Sequence, residues 1–309
     1  MVWPFGNAYE PEKDIPDLSG KVILVTGGNT GLGKESCLQL AKHQPKEIFL
    51  AARTPSKAES AIAEIKKAVP NATISFLQLD LTSFKSIENA ATEFKNRSQR
   101  LDILLNNAGI MATPYSKTAE GYEIQFGTNH MGHALLTKLL LPTLLKTAEE
   151  ANSDVRVVNL SSEGHRMAPS GGIIFDQDKA ESYGTWARYG CAKLANILHA
   201  RALEKRYPQL TCTALHPGVI QTDLFASAQQ STAVIRWGMY AFGGIFMQNV
   251  AQGARNQLWA CTAPKAEVAK GYYWTPVGKK SAGSGWAKNE ILADKLWDYT
   301  EEEFKKHGY

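Results

Sequence analysis

The stretch Thr26-Gly27-Gly28-Asn29-Thr30-Gly31-Leu32-Gly33 follows directly on the apolar run Lys21-Val22-Ile23-Leu24-Val25. The apolar run predicts a buried strand, and the glycines predict a tight turn into a helix. The first backbone N–H groups of a helix have no partner within the helix, and they bind phosphate well. The order G-x-x-x-G-x-G therefore indicates a dinucleotide phosphate site, although a plain strand-to-helix connection also fits this pattern.

A second stretch, Tyr189-Gly190-Cys191-Ala192-Lys193, lies in a predicted helix at 187–207. The apolar residues of this segment recur at helical spacing. Tyr189 and Lys193 are four positions apart, so a helix presents the phenol and the ammonium on one face. The pair suits acid–base chemistry, but the same spacing also arises by chance at the edge of a core.

Seven apolar runs alternate with helical patterns along the chain. The predicted strands are 21–26, 47–52, 73–78, 101–106, 155–160, 211–216 and 271–274. This alternation predicts an α/β fold, with a Rossmann-type, doubly wound parallel sheet of about seven strands and helices on both faces. The carboxyl ends of the strands then share one edge, where such folds bind ligands. That edge collects Gly27, Arg53, Asp80, Asn107, Ser162 and Pro217.

The chain is long enough for one large core. It has 309 residues, of which 44% are hydrophobic, and no Pro/Gly/Ser-rich linker or internal repeat divides it. We therefore expect a single domain at 1–309. Its cofactor-binding part would lie at about 18–160, and its catalytic and substrate part at about 161–309.

Four further motifs follow apolar runs or lie between them. They are Asn106-Asn107-Ala108-Gly109, Thr128-Asn129-His130-Met131-Gly132-His133, Ser161-Ser162 and His216-Pro217-Gly218-Val219-Ile220-Gln221-Thr222. Together with the first two stretches, and in the same order, they resemble the short-chain dehydrogenase/reductase family from about Leu18 to Trp274. Within this family, the chain most resembles the sequences of the retinol dehydrogenase and WW-domain oxidoreductase branch. The segments that carry this resemblance are GGNTGLGKE, NHMGHALLTKLLLP, RVVNLSS, YGCAKLANIL and HPGVIQTDL.

The resemblance implies a catalytic set of Asn129, Ser162, Tyr189 and Lys193. Tyr189 would act as general acid and base, and because a free phenol has a pKa of about 10, Lys193 would favour its phenolate. Lys193 would also hold the cofactor ribose, Ser162 would bind the substrate oxygen, and Asn129 would anchor a water molecule. Ser161 is adjacent, but the family pattern places the catalytic serine second in such a pair.

The end of the second strand, Ala51-Ala52-Arg53-Thr54, lacks the carboxylate that binds the ribose 2′-hydroxyl in NAD sites. Arg53 suits a 2′-phosphate instead, so we predict NADP(H), with NADPH preferred over NADH. The resemblance implies the remaining cofactor-binding positions. These are Gly27, Asn29, Thr30, Gly31, Leu32 and Gly33 in the first turn, Asp80 and Leu81 towards the adenine, Asn107, Ala108 and Gly109 beside the adenosine, Tyr189 and Lys193, and Pro217, Gly218, Val219 and Thr222 towards the nicotinamide.

Two segments depart from a minimal pattern. Ser162 and Tyr189 are 189 − 162 = 27 positions apart, which is longer than the compact family spacing, so the segment at about 167–186 is expected to loop out beside the pocket. The segment 233–250 is apolar and aromatic, but Arg236 and its glycine pair argue against a membrane span. It remains either part of a substrate lid at about 222–252 or a surface that contacts a membrane peripherally. Its aromatic residues favour a hydrophobic substrate.

Composition excludes several classes of partner. The net charge of +4 is spread along the chain and does not indicate nucleic-acid binding. The four cysteines lack metal-ligand spacing and are expected to be reduced, buried thiols of an intracellular, cytoplasmic protein. His130 and His133 have no nearby carboxylate cluster, so no metal site is expected there. The helices at about 130–147 and 189–207 carry apolar residues on more than one face. A buried core within one chain fits this pattern, and the family resemblance implies a homodimer contact through these helices.

These observations favour an NADPH-dependent oxidoreductase. It would transfer a hydride between the nicotinamide and a hydrophobic ketone, aldehyde or alcohol, with Tyr189 exchanging the proton. Two alternatives stay open. One is a non-redox isomerase, dehydratase or cyclase, and the other is an NADP(H)-sensing binding protein on the same fold.

Overall fold

The computed structural model describes residues 9–218, 249–269 and 271–309. Its centre is a sheet of eight strands: β1 Val22–Thr26, β2 Glu47–Ala52, β3 Ile74–Gln78, β4 Ile103–Asn106, β5 Arg156–Leu160, β6 Thr211–Leu215, β7 Tyr273–Thr275 and β8 Lys279–Lys280. Their order is β3-β2-β1-β4-β5-β6-β7-β8. All neighbouring pairs are parallel except β7 with β8. The strand order reverses between β1 and β4, and doubly wound folds bind ligands at such a reversal.

The predicted fold class is confirmed, and each of the seven predicted strands is present within two residues of its expected ends. The eighth strand was missed. It consists of the exposed pair Lys279–Lys280 at the edge of the sheet, and two lysines carry neither the apolar run nor the alternation that indicates a strand.

Helices cover both faces of the sheet. They are α1 Pro11–Asp14, α2 Gly31–Ala41, α3 Pro55–Ala68, α4 Phe84–Arg97, α5 Ile124–Phe126, α6 Gly132–Ala148, α7 Thr185–Arg206, α8 Val250–Thr262, α9 Lys265–Val268 and α10 Glu290–Lys306. A π-helix at Gly127–Met131 leads into α6. Within the described ranges, no helix is both long and apolar enough to cross a membrane.

The central strand β1 explains why two core layers form. Successive side chains of a strand point to opposite faces. Val22 and Leu24 accordingly pack in the layer that contains α4, α6 and α7, while Ile23 and Val25 pack in the layer that contains α2, α3 and α8. A strand buried on both faces needs a continuous apolar sequence, and β1 has one.

The C-terminal helix α10 lies across α6 and α7. The Trp297 ring stacks on His199 of α7, with ring centroids 5.8 Å apart. Glu301 forms an ion pair with Lys138 of α6 at 2.5 Å. Phe304 is buried against Phe84, with centroids 5.5 Å apart. The two helices on which a homodimer was predicted therefore share part of their surface with α10.

The segment at 167–186 was expected to loop out, but part of it is packed into the core, and the prediction was wrong for that part. A short 3₁₀ helix, Glu163–Met167, leads into the segment, and another, Gln177–Ser182, lies within it. Between them Ile173 and Ile174 are buried in the layer that contains α7 and α10, and the Ile174 N–H donates to the Cys191 Sγ at 3.3 Å. The apolar Ile-Ile pair is the signal that favoured packing over a free loop.

All four cysteines are free and buried. Burial raises the pKa of the Cys191 thiol to about 12 and that of Cys261 to about 12. At neutral pH these two are therefore thiols, which behave as small apolar side chains.

Candidate active site

The turn between β1 and α2 brings backbone very close to backbone. A Cβ on Gly33 would lie 2.2 Å from the Gly27 carbonyl oxygen, so only glycine fits at this position. Gly27 itself has φ +66°, in the left-handed region. The turn thus leaves the first N–H groups of α2 facing the sheet edge with no side chain between them, which is the arrangement that holds a phosphate.

The turn after β4 is fixed to the end of β1. Thr26 Oγ1 accepts the backbone N–H groups of Asn107 and Ala108 at 2.9 and 3.0 Å, and Asn107 Nδ2 donates to the Thr26 carbonyl at 2.8 Å. Gly109 follows, and a Cβ there would lie 3.0 Å from Asn129 Oδ1 and 3.4 Å from Lys193 Nζ. This turn therefore joins the β1 turn to two of the predicted catalytic residues.

Asn129 lies in the π-helix and is fully buried. Its side chain makes two hydrogen bonds to one residue: Oδ1 accepts the Ile110 N–H at 2.9 Å, and Nδ2 donates to the Ile110 carbonyl at 2.9 Å. Both polar atoms of the side chain are therefore bonded to the β4 turn. π-helical turns are rare, and they occur frequently at functional sites.

Ser162 and Tyr189 meet in front of β5. Ser162 follows the strand, and its Oγ accepts the Gly164 N–H at 3.0 Å. Burial raises the pKa of Tyr189 to about 12, and the nearby Ser162 side chain opposes part of that rise. Tyr189 is therefore a protonated phenol at neutral pH.

Lys193 lies one turn further along α7. Its Nζ donates to the Leu160 carbonyl at 3.0 Å and lies 5.8 Å from the centroid of the Tyr189 ring. Burial lowers the pKa of Lys193 to about 8, so the ammonium still predominates at pH 7. It is a positive charge placed beside a phenol in a water-poor setting.

The neighbouring serine has a different position. Ser161 is buried, and its Oγ donates to the Lys193 backbone carbonyl at 2.7 Å. Ser161 therefore connects β5 to α7, whereas Ser162 is the serine whose side chain affects the pKa of the phenol.

The residues predicted for the adenosine half lie at the ends of β2 and β3. Arg53 is exposed directly after β2 and forms no ion pair among the described residues. Lys34, which could have added charge there, is paired with Glu64. Asp80 is half-buried, and its Oδ1 accepts the N–H and hydroxyl of Thr82 at 2.9 and 2.7 Å. Leu81 is buried in the core.

The predicted nicotinamide side is described only in part. Pro217 and Gly218 follow β6 and are half-buried, and Gly218 has φ +112°. Val219 and Thr222 lie outside the described residues, as does the lid up to residue 248. The predicted end of the lid, up to 252, belongs to the start of α8, which the Asn249 and Gln252 side chains cap reciprocally.

Sequence reasoning missed a buried glutamine that contacts the turn between β1 and α2 and the turn after β4. Gln257 of α8 is fully buried, and its Nε2 lies 2.7 Å from Ser36 Oγ, 3.2 Å from the Leu32 carbonyl and 3.3 Å from Asn107 Oδ1. It thereby connects α2 to the β4 turn. Its position 150 residues after Asn107 gave no local pattern that could have indicated this contact.

His130 and His133 are both buried. The His130 ring contacts His199, with centroids 5.6 Å apart, and its Nε2 lies 3.2 Å from Thr300 Oγ1. Among the residues that the structure describes, no group of three His, Cys, Asp or Glu side chains could hold a metal ion.

Comparison with known proteins agrees with this geometry. A family model described as short chain dehydrogenase matches residues 21–233. The short-chain dehydrogenase/reductase drtF of Aspergillus calidoustus is 40% identical over 306 residues, covering 94% of this chain and 96% of that protein. Retinol dehydrogenase 12 of Mus musculus is 37% identical over 284 residues, covering 91% and 85%. The chain belongs to the short-chain dehydrogenase/reductase family and is an oxidoreductase of that family.

Solved structures share the fold. A crystal structure of an uncharacterized protein from Mycobacterium paratuberculosis superimposes with a TM-score of 0.72 at 29% identity, covering 94% of this chain and 96% of that one. Other structures of the same fold hold NADPH in one case and NAD in another. Membership in the family implies a nicotinamide cofactor, but the fold alone does not select between the two.

Proposed function

We propose that the protein is an NADPH-dependent carbonyl reductase for hydrophobic ketones or aldehydes, with Tyr189 as the proton donor. The observation that carries the proposal is the grouping of three residues near the end of β5. The Ser162 side chain is close enough to lower the pKa of the Tyr189 phenol, and Lys193 Nζ lies 5.8 Å from the centroid of the same ring. Reduction of a carbonyl needs a proton donor, a group that holds the developing alkoxide and a nearby positive charge.

The residues at the sheet edge suit a dinucleotide. The close approach of Gly33 to Gly27 leaves no room for a Cβ, and this side-chain-free turn lies at the N-terminus of α2, where a phosphate could bind. The half-buried turn at 107–109 would form the adjoining wall, and Lys193 would reach the ribose beside the nicotinamide. When bound, a reduced nicotinamide supplies the hydride.

The side chains of the proposed catalytic set would supply the proton that the carbonyl oxygen receives and would then replace it. Tyr189 is protonated at neutral pH because burial raises its pKa to about 12, so its phenol can give a proton to the carbonyl oxygen as the carbonyl carbon gains hydride. Ser162 would donate a hydrogen bond to the same oxygen. The Lys193 ammonium, with a pKa of about 8, would stabilise the phenolate that remains. Asn129 would position the water that returns a proton to this pair.

The surroundings of Tyr189 support an apolar substrate. Met111 and Ala112 form a small buried apolar cluster with Tyr189, and Trp186 packs against it. The Trp186 ring stands perpendicular to that of Tyr189 at 6.2 Å. An apolar wall beside a proton donor favours a hydrophobic carbonyl compound.

Tyr189→Phe removes the proton donor and keeps the ring. We expect NADPH oxidation, followed at 340 nm across a panel of hydrophobic ketones and aldehydes, to fall by at least about 100-fold, because general acid catalysis contributes about 100- to 10,000-fold. NADPH binding should be retained.

Tyr207→Phe, at the C-terminal end of the same helix, is the matched control and should change turnover by less than about twofold. Equal turnover in Tyr189→Phe and the unmodified protein would contradict the assignment. Tight NADPH binding without oxidation of any substrate would favour a sensor or a non-redox enzyme.

Cofactor preference depends on Arg53. Its exposed guanidinium, unpaired within the described ranges, suits a 2′-phosphate, and charge-assisted hydrogen bonds of this kind are worth about 1.5–3 kcal/mol. Arg53→Ala should therefore raise the Kd for NADPH about 10- to 100-fold and leave the Kd for NADH nearly unchanged. Fluorescence titration with both cofactors measures this.

Lys67→Ala, an exposed cation near the far end of α3, is the control and should leave both affinities unchanged. The proposed preference fails if the unmodified protein binds NADH as tightly as NADPH, or if Arg53→Ala weakens both cofactors equally.

The homodimer through α6 and α7 also stays a proposal. Both helices have many buried residues, but α10 already covers part of them through Trp297 and Glu301. A second copy would have to pack beside α10. Sedimentation velocity measures the outcome: a species of twice the 33.9 kDa chain mass supports the dimer, and a species of 33.9 kDa contradicts it.

The division of a single domain into a cofactor part at about 18–160 and a catalytic part at about 161–309 remains a prediction. Its support is that the strand reversal between β1 and β4 falls in the first part, while Ser162 and Tyr189 fall in the second. A cytoplasmic location is likewise a prediction, supported by the four free cysteines. Fluorescence microscopy of the tagged full chain would test the location.

A further inference from the structure

His133 lies outside the proposed catalytic set, yet it lies directly behind it. It is one helical turn after Asn129, at the start of α6, and it is buried. Both ring nitrogens have hydrogen-bond partners. Nδ1 lies 3.0 Å from the Asn129 backbone carbonyl, and Nε2 lies 2.9 Å from Thr26 Oγ1.

These partners determine where the ring proton is. A carbonyl oxygen can only accept, so Nδ1 must carry the proton that is shared with Asn129. Burial lowers the pKa of His133 to about 4, and the ring is therefore neutral at pH 7. The titratable groups around it are Lys193 and His199 on α7, which lower its pKa further, and His130 on the π-helix, whose own pKa is lowered by burial and by its two histidine neighbours. Nε2 is consequently an acceptor.

The direction of the Thr26 bond follows. Because Nε2 accepts, the Thr26 hydroxyl donates its single proton to His133. The two oxygen lone pairs of Thr26 then accept the N–H groups of Asn107 and Ala108. The other possible acceptor for the hydroxyl, the Leu105 carbonyl, is 3.5 Å away. Every donor and acceptor in this chain of bonds is thus used once, in one direction.

We propose that His133 is a positioning residue that, through Thr26, fixes the Asn129 backbone to the turn at 107–109. The inference rests on the proposed function, because the proposed function assigns that turn to cofactor binding and Asn129 to reprotonation of the catalytic pair. The hydrogen bonds of His133 would hold the turn and the catalytic residues as one rigid unit.

The close contact at Gly109 shows why the relative position of the turn and the π-helix has to be fixed. A Cβ at Gly109 would lie only 3.0 Å from Asn129 Oδ1, so the turn and the π-helix are in close contact. A π-helix also departs from the regular i→i+4 hydrogen-bond ladder of an α-helix. The Ile110 backbone supports the Asn129 side chain, and His133 supports the Asn129 main chain.

The first test is independent of turnover. The chain has seven histidines, and ¹⁵N NMR of the imidazole nitrogens, with His133→Asn used for assignment, reports the tautomer. We expect the neutral Nδ1–H form, unchanged between about pH 5.5 and pH 8, since a free imidazole would titrate at about 6.5. An Nε2–H tautomer, or titration at the ordinary pH, would overturn the proposal.

The second test separates positioning from stability. Thr26→Val removes the hydroxyl that links His133 to the turn, and Thr147→Val is its matched control. Thr147 is a buried threonine of α6 whose Oγ1 accepts the Leu101 N–H at 3.0 Å, at the amino end of β4 and away from the site. Thr26→Val removes an acceptor of the Asn107 and Ala108 N–H groups, and Thr147→Val removes the acceptor of the Leu101 N–H, so both variants should lower the melting temperature.

Only Thr26→Val should change NADPH affinity and turnover. We expect its Kd for NADPH to rise about tenfold and its kcat to fall, because an unsatisfied buried group costs about this factor in affinity when the turn rearranges. Thr26→Ser keeps the hydroxyl and should restore both values to within about twofold. The double variant Thr26→Val/His133→Asn should be no worse than the worse single variant, since both break the same chain of bonds.

Equal effects of Thr26→Val and Thr147→Val on NADPH binding, or no rescue by Thr26→Ser, would reduce His133 to a stability role and overturn the proposal. If the unmodified protein shows no turnover, the proposed function fails. The tautomer and the NADPH affinities still decide the role of His133 in that case.

Discussion

The attachment of α7 to the end of β5 is the constraint on which the site depends. Three hydrogen bonds make it: Lys193 Nζ and Asn196 Nδ2 both donate to the Leu160 carbonyl, and Ser161 donates to the Lys193 carbonyl. They fix the rotation of α7 about its axis. Because Tyr189 is one turn from Lys193, this rotation decides whether the phenol faces Ser162. The strand end and the helix therefore act as one rigid element.

A second attachment joins this element to the proposed cofactor side. Gly109 is in close contact with Asn129 and Lys193, and Thr26 fixes the preceding residues to β1. Buried side chains that bond to backbone, such as Gln257, complete the connection. The residues that would meet substrate thus rest on polar groups that are buried and bonded, so they can keep their geometry before any ligand arrives.

Local patterns were sufficient to predict the parallel sheet, the glycine turn and the pairing of Tyr189 with Lys193. Each of these depends on residues that are close in sequence: an apolar run, a glycine spacing, or two side chains one turn apart. The choice of Ser162 over Ser161 stays a prediction. The structure adds an observation that the pattern did not contain, namely the bond of Ser161 to the Lys193 carbonyl. The contacts of His133 with Thr26 and of Gln257 with α2 join residues more than 100 positions apart, and no local pattern predicts them. The packing of α10 on α6 and α7 was missed for the same reason, as was the burial of Ile173 and Ile174.

The central claim is that a hydride passes from NADPH to a substrate carbon beside Tyr189. The most direct measurement uses NADPH in which both hydrogens at C4 are replaced by deuterium, with the alcohol products of a ketone and aldehyde panel analysed by mass spectrometry. The account predicts products with one deuterium on the carbinol carbon, formed in step with NADPH oxidation. Products without deuterium, or NADPH that stays bound and unoxidised with every substrate, would contradict it.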